Sequence, residues 1–230
     1  MSLELGLLIV GSYLLGSVPA GYLAVKWYRG IDIRQYGTGK VGASNVMRVA
    51  SKWLAIPVAI FDIGKGALTV WVAQLLWPDA AAAQVTAGIA AIIGHNWPIF
   101  LGFQGGRGVF TSLGVITMLS PWLGLIIFVM PYLLAPIHQV ALGVFFALAS
   151  LPVFSWFLSQ PLGIEERLPI TLGFIVLILI GLLTRVITPR DKLSQSVPAV
   201  ELFFNRLLFD RDIRDRKAWT NRNLQKPPKN

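Results

Sequence analysis

The chain is 230 residues long, 55% hydrophobic and 13% charged, with a formal net charge of +9. Soluble domains carry roughly 25% charged residues, so half that density makes lipid the main solvent. The basic residues sit between and after apolar runs, which favours anionic lipid or an anionic substrate over nucleic acid, and the absence of cysteine excludes disulfides and thiolate metal sites.

The first apolar run, 3–27, lacks a basic leader and outruns a signal-peptide core, so it is expected to be retained as a membrane span. About 20 apolar residues cross a bilayer, and further spans are expected at 53–77, 82–103, 109–120, 121–137, 139–159 and 168–188. The break between the fourth and fifth rests on Ser120, Pro121 and Trp122, a helix start with proline in an early position. One kinked helix there would give six spans. Loop charge decides between the two counts. Lys26, Arg29, Arg34, Lys40, Arg48 and Lys52 crowd the first connection and place it in the cytoplasm. The next connection, WPDAAAA, carries no Lys or Arg; Arg107 falls inside again, the acidic QPLGIEERL at 160–168 outside, and the basic tail inside. Seven spans satisfy every loop. The expected fold is therefore an all-α polytopic membrane protein of seven transmembrane helices, N-terminus outside and C-terminus cytoplasmic. Residues 1–188 form the membrane domain and 189–230 a basic cytoplasmic tail.

Within that tail a helix is expected near 198–210. Val200, Phe203, Phe204, Leu207 and Leu208 share one helical face, with Arg206, Arg211, Arg214, Arg216 and Lys217 around and after it. The pattern reads as a helix lying on the anionic cytoplasmic leaflet; packing against the protein's own loops is the open alternative. The end, NRNLQKPPKN, is expected to be disordered. The chain has no internal repeat of the kind many transporters carry.

Two polar clusters stand out against this apolar background. The first is YGTGKVGASNVMR at 36–48. Gly37, Gly39 and Gly42 permit positive φ and close backbone approach, so successive N–H groups can turn inward as an anion nest. Thr38, Ser44 and Asn45 add side-chain donors, and Lys40 and Arg48 add charge. The whole describes a cradle for phosphate oxygens, although the Walker A spacing is absent because Val41 follows Lys40. A loop that merely adheres to headgroups would need the basic residues, but not three glycines, two hydroxyls and an asparagine in nine positions. The second cluster, GHNWPIFLGFQGGRGVFTS at 94–112, sets Arg107 among Gly105, Gly106 and Gly108 where a helix begins. Helix N-termini attract anions, and a guanidinium beside one offers a bidentate contact. By topology the two clusters face one another and suggest one site.

Other polar residues read less sharply. Asp62 and Lys65 share a helix face within the second span, either as a structural pair or as part of the chemistry. His95 fits a hydrogen bond inside the bundle. His138 lies on a short turn between spans five and six, where a surface role competes with that of a general base. The chain has no zinc-protease helix, serine elbow or carboxylate cluster for a metal. The residues alone lead to a polytopic protein with an anion-binding cytoplasmic site of at least two loops.

GSVPAGYL, IDIRQYGTGKVGASNVMR, FDIGKGAL and GHNWPIFLGFQGGRGV together resemble, in order and spacing, the bacterial PlsY family of membrane acyl-phosphate:glycerol-3-phosphate acyltransferases. The resemblance is specific over residues 10 to 120 and follows hydropathy beyond them. It implies a seven-helix membrane fold in the bacterial inner membrane with the site at the cytoplasmic face. It implies transfer of a fatty acyl group from acyl phosphate to the sn-1 hydroxyl of glycerol 3-phosphate, releasing phosphate, with no metal, cofactor or acyl-CoA. On this reading Thr38, Arg48 and Arg107 hold glycerol phosphate, while Gly39, Lys40, Gly42, Ser44 and Asn45 hold acyl phosphate. Arg48, Arg107 and His138 are the catalytic candidates. The chain departs from the family pattern at Thr38, Lys40 and Ser44, which replace Ser, Asn and Thr, and at Arg107, which replaces Lys. It also lacks the His and Asn that the family carries at the end of its last helix, where LLTRVITPRDKLSQS stands. A non-catalytic homologue that binds acyl phosphate or lysolipid, and a lipid or organophosphate transporter, remain alternative readings.

Overall fold

A computed structural model of the chain describes residues 2–190 and 193–221. Their α-helices are α1 (Ser2–Ser17), α2 (Ala20–Arg29), α3 (Ala43–Val49), α4 (Lys52–Leu76), α5 (Ala81–Asn96), α6 (Val109–Leu119), α7 (Pro121–Leu133), α8 (Val140–Phe157), α9 (Arg167–Val186), α10 (Ala199–Phe209) and α11 (Arg216–Asn221), and no strand occurs among the described residues. Four stretches are long and apolar enough to cross a bilayer, namely Leu3–Arg29, Lys52–Leu76, Val140–Phe157 and Arg167–Val186. The α6 and α7 helices are apolar but shorter, with 11 and 13 residues. The outward faces are apolar in stripes at helical spacing. Leu168, Leu172, Ile175, Leu179 and Leu183 are all exposed along α9, as are Leu3, Leu7, Val10 and Leu14 along α1. Such stripes face hydrocarbon in an integral membrane protein.

The helices are placed by identifiable local signals. The first apolar run, expected as one span, breaks at Val18 and Pro19 between α1 and α2. Proline has no N–H to give and pushes the preceding residue out of the helical region. The Val18 carbonyl this frees accepts from Lys65 Nζ at 3.2 Å. Ser51 caps α4 by accepting from the Trp53 N–H. Ser120 and Pro121 open α7 as the sequence suggests, and α6 and α7 form a tight antiparallel hairpin rather than one kinked helix. The third span, expected to reach 103, ends at Asn96, because Pro98 stops it and 99–101 form a short 3-10 turn. The fifth ends at Leu133 rather than 137, and the turn that follows carries His138 at φ 59°.

Bare backbone meets bare backbone where the helices cross most closely. Gly16 of α1 lies against the Ala91 carbonyl of α5, and Gly114 of α6 against the Ile63 carbonyl of α4, so a β-carbon at either would collide. Small-residue contacts of this kind replace the hydrophobic drive that lipid removes. One apolar core runs through the bundle around Val70, Ile92, Val115, Ile116, Leu151 and Phe174. A second, built from Val25, Ile33, Val41, Val46, Val49 and Val58, lies directly beneath the first polar loop.

The connections gather at two ends. At one, Ala81 N–H donates to Glu166 and Ser120 Oγ to the Leu162 carbonyl. At the other, Arg34 donates to the Leu101 carbonyl, Arg185 to the Ala141 carbonyl and Arg107 to the end of α9. The tail folds back onto this second end. Leu202, Asn205 and Arg206 are the buried face of α10, which packs on α8 and α9, while Val200, Phe203 and Phe204 point away and are exposed. Three of the five residues of the expected apolar face are therefore outward, Leu207 and Leu208 are half-buried, and the helix is seated by Leu202 with Asn205 and Arg206. Of the expected disordered end, 221–230, all but Asn221 lies outside the described residues.

Candidate functional site

The first loop is organised by Asn45. This residue is fully buried; its Oδ1 accepts from the Thr38 N–H at 2.9 Å, and its Nδ2 donates to the Lys40 and Tyr36 carbonyls at 2.8 and 3.1 Å. The hydrogen bonds of the Asn45 side chain, which was expected to help hold acyl phosphate, go to the loop itself and shape the cradle. Gly37 stands against that amide with φ 57°, where a β-carbon would strike Oδ1. Gly39 also has positive φ, at 71°. Gly42 does not; at φ −75° it opens α3 in an extended conformation. The N–H groups of Lys40, Val41 and Gly42 make no hydrogen bond to protein among the described residues. Ser44 and Arg48 follow on α3, both exposed and four residues apart on one helix face.

The second loop is pinned to the end of α5. Gly106 N–H donates to the His95 carbonyl at 3.0 Å, and a β-carbon on Gly106 would collide with the His95 imidazole. Glycine is thus required for contact there. Gly108, at φ 69°, starts α6 immediately after Arg107. Arg107 Nη1 donates to the Thr184 carbonyl and to Thr188 Oγ1, and Nη2 lies 2.7 Å from Asp210 Oδ1 in the tail. Arg107 Nε, both amide atoms of Asn96 and Thr111 Oγ1 are buried without a hydrogen-bond partner among the described residues.

The two loops do meet. Arg34, itself held by Asp32 at 2.7 Å, reaches the Leu101 carbonyl and clips them together. Lys40 lies close enough to Arg107 to feel its charge. Burial, then Arg107, lowers the Lys40 pKa to about 8, with Asp210 opposing and Arg206 adding to the lowering. Arg48 stands in the fields of Arg216 and Asp210. Asp210 pairs with Arg107 and lies within reach of the charges of Lys40 and Arg48. His138 does not join them. It is exposed on the α7–α8 turn, and the described residues give its side chain no hydrogen bond or ion pair.

Asp62, Lys65 and His95 form a buried network between the loops and the bundle. Asp62 Oδ1 lies 2.9 Å from Lys65 Nζ and 3.4 Å from His95 Nδ1. Lys65 holds the α1–α2 break and His95 the glycine loop, so the network joins both supports of the site. Sequence reasoning missed Asp210, Thr184 and Thr188. The two threonines lie in LLTRVITPRDKLSQS, the segment that lacks the expected His and Asn, and the three aspartates among the arginines of FDRDIRDRK were the remaining signal.

A family model described as glycerol-3-phosphate acyltransferase matches residues 6–192. A protein named glycerol-3-phosphate acyltransferase 4 from Dehalococcoides mccartyi strain CBDB1 is 42% identical over 94% of this chain and 93% of its own length. Glycerol-3-phosphate acyltransferase 5 from strain ATCC BAA-2266 / KCTC 15142 / 195 of that organism is 43% identical over 97% and 95%. Among solved structures, the chain resembles PlsY, described as an integral membrane glycerol 3-phosphate acyltransferase. The glycerol 3-phosphate form matches with TM-score 0.72 and 28% identity over 79% of this chain and 88% of that one. Its lysophosphatidic acid form matches with TM-score 0.70 over the same shares. This chain belongs to the glycerol-3-phosphate acyltransferase family.

Proposed function

We propose that this protein transfers a fatty acyl group from acyl phosphate to the sn-1 hydroxyl of glycerol 3-phosphate, giving lysophosphatidic acid and inorganic phosphate as the first step of phospholipid synthesis. The observation that carries this reading is the meeting of Lys40, Arg48 and Arg107 at one end of a lipid-faced bundle. Both substrates bear phosphate and one bears a fatty chain, so a cationic pocket at the membrane boundary suits the pair. The names of the two similar structures, a glycerol 3-phosphate form and a lysophosphatidic acid form, are those of a substrate and the product of this transfer.

Acyl phosphate is already an activated anhydride, so positioning and stabilisation of developing negative charge suffice. The hydroxyl oxygen of glycerol 3-phosphate attacks the acyl carbon, the bond from that carbon to the phosphate oxygen breaks, and the departing phosphate leaves with the hydroxyl proton. Arg48 and Arg107 hold glycerol phosphate together with Thr38. Lys40, Ser44 and the backbone of Gly39 to Gly42 hold acyl phosphate and take up the charge of the departing group.

The bundle crosses the bacterial inner membrane in seven passes, with the N-terminus outside and the site at the cytoplasmic face. The basic first loop and tail support that orientation. The exposed Val200, Phe203 and Phe204 of α10 rest in the anionic cytoplasmic leaflet. Purified protein in lipid, given palmitoyl phosphate with and without glycerol 3-phosphate, tests the reaction: lysophosphatidic acid forms only with both. Tight binding of acyl phosphate without turnover would instead identify a non-catalytic homologue.

A further inference from the structure

The pair between Arg107 and Asp210 joins the candidate site to a segment beyond residues 6–192, the stretch that the family model matches. Arg107 is anchored without Asp210, because Nη1 already donates to the Thr184 carbonyl and to Thr188 Oγ1. The opposite edge of the guanidinium, Nε and Nη2, is the one that offers two parallel donors to an anion. On that edge Nε is buried with no hydrogen-bond partner, and Nη2 meets Asp210 Oδ1 at 2.7 Å. The contact is one of charge alone, since that oxygen forms no hydrogen bond of acceptable geometry. Asp210 thus covers the phosphate-binding edge of Arg107 and uses it poorly.

Its position is also fixed by the fold. Asp210 ends α10 at φ 51°, in the left-handed region. Arg206 pairs with Asp212 at 2.8 Å and donates to the Val186 carbonyl, while Arg185 donates to the Leu207 carbonyl. These bonds seat the turn that carries Asp210 on the end of α9. From there its charge reaches Lys40 and Arg48 as well as Arg107.

We propose that Asp210 is the resident counter-ion of the phosphate site: it holds the free edge of Arg107 until the phosphate of glycerol 3-phosphate displaces it, so the C-terminal segment sets the affinity for that substrate. This rests on the reading that Arg107 binds substrate phosphate. A phosphate near neutral pH carries more negative charge than one carboxylate and has three oxygens for Nε and Nη2. It therefore exchanges for Asp210 at modest cost, and the tail turn loosens when it does.

The test compares Asp210→Asn, Asp210→Gly and Arg107→Gln with wild type in lipid, reading KM for glycerol 3-phosphate at saturating palmitoyl phosphate. Glycine suits the left-handed position, so Asp210→Gly removes the carboxylate without straining the turn. Both Asp210 variants are expected to lower KM by about two- to five-fold, the range for one partly exposed charge pair, with kcat nearly unchanged. A raised or unchanged KM in the folded variants, or a collapse of kcat, would overturn the proposal and make Asp210 a positioning residue or a bystander. Hydrogen exchange on the wild-type protein gives an independent readout. Amides of 205–212 are expected to exchange faster when glycerol 3-phosphate is added, and slower or unchanged exchange contradicts displacement. Arg107→Gln separates the two levels: if it saturates normally with glycerol 3-phosphate, the reading of Arg107 itself fails; if it does not, and the Asp210 variants fail to tighten binding, the counter-ion proposal alone fails.

Discussion

At the scale of single residues, the proposed function divides the site into groups that face a substrate and groups that hold them there. Lys40 belongs to the first. With its pKa lowered from 10.5 to about 8 by burial and by Arg107, it is charged below that pH and neutral above it. The efficiency with acyl phosphate is expected to fall as pH rises through about 8, and Lys40→Arg should move the fall upward because arginine stays charged. Stability moves the other way. The unfolded chain binds more protons than the folded one between about 8 and 10.5, so this residue's contribution to stability rises with pH across that window. A pH–rate profile recorded beside thermal melts over the same range checks both signs. Asn45 belongs to the second group. Asn45→Ala removes the partner of the Thr38 N–H and of two carbonyls, at a cost of about 1–3 kcal/mol for a buried unsatisfied group, and an unchanged melting temperature would contradict the role of Asn45 in shaping the cradle. Arg48→Ala is expected to abolish turnover while the protein stays folded; normal turnover there would remove Arg48 from the site. The residue types of the cradle were legible in the sequence, because three glycines with hydroxyls and cations have few structural uses. The division of labour was not. Whether an amide points at a ligand or at its own loop depends on the turn at Gly37, and composition carries no record of it.

At the scale of elements, the helices follow signals that sequence carries well, and the ends depart where local chemistry overrides hydropathy. Trp97 to Phe103 is apolar enough to continue the third span, but Pro98 ends it, and the freed segment becomes the 3-10 turn that brings Leu101 to Arg34. Periodicity placed a helix near 198–210, and α10 spans Ala199–Phe209. Its seating was hidden. Arg206 reads as a surface charge until Asp212, across a turn, is seen to pair with it, both side chains being nearly buried. Arg206→Ala leaves Asp212 buried and unpaired, which costs about 3–5 kcal/mol. Thermal unfolding in detergent should therefore show a clear drop, and a melt like wild type would mean α10 is not docked as described. Removing the chain from residue 193 onward should likewise lower the melting temperature, because the Arg185 donation to the Leu207 carbonyl is lost with it.

At the scale of the whole molecule, an apolar-sided bundle with its cationic loops gathered at one end is a device for joining a lipid-borne donor to a water-borne acceptor. Loop charge predicts which end faces the cytoplasm, and the absence of native cysteine makes that prediction simple to check. A lone cysteine at Gln35 should react with impermeant reagent only from the cytoplasmic side of sealed vesicles, and one at Asp79 only from the other; the reverse pattern would invert the orientation. The all-helical, lipid-faced character of the chain was readable from its apolar runs, four of which are long and apolar enough to cross a bilayer among the described residues. The folding back of the tail onto Arg107 was not, since it depends on long-range pairs that no local pattern encodes. The central claim is that the two loops bind two phosphate-bearing substrates and join them, although the end of the last helix lacks the His and Asn that the family pattern carries there. Phosphate release from palmitoyl phosphate by the purified protein in lipid tests it most directly. The predicted result is release that requires glycerol 3-phosphate and is matched mole for mole by lysophosphatidic acid. Bound acyl phosphate with no release on adding glycerol 3-phosphate would contradict it.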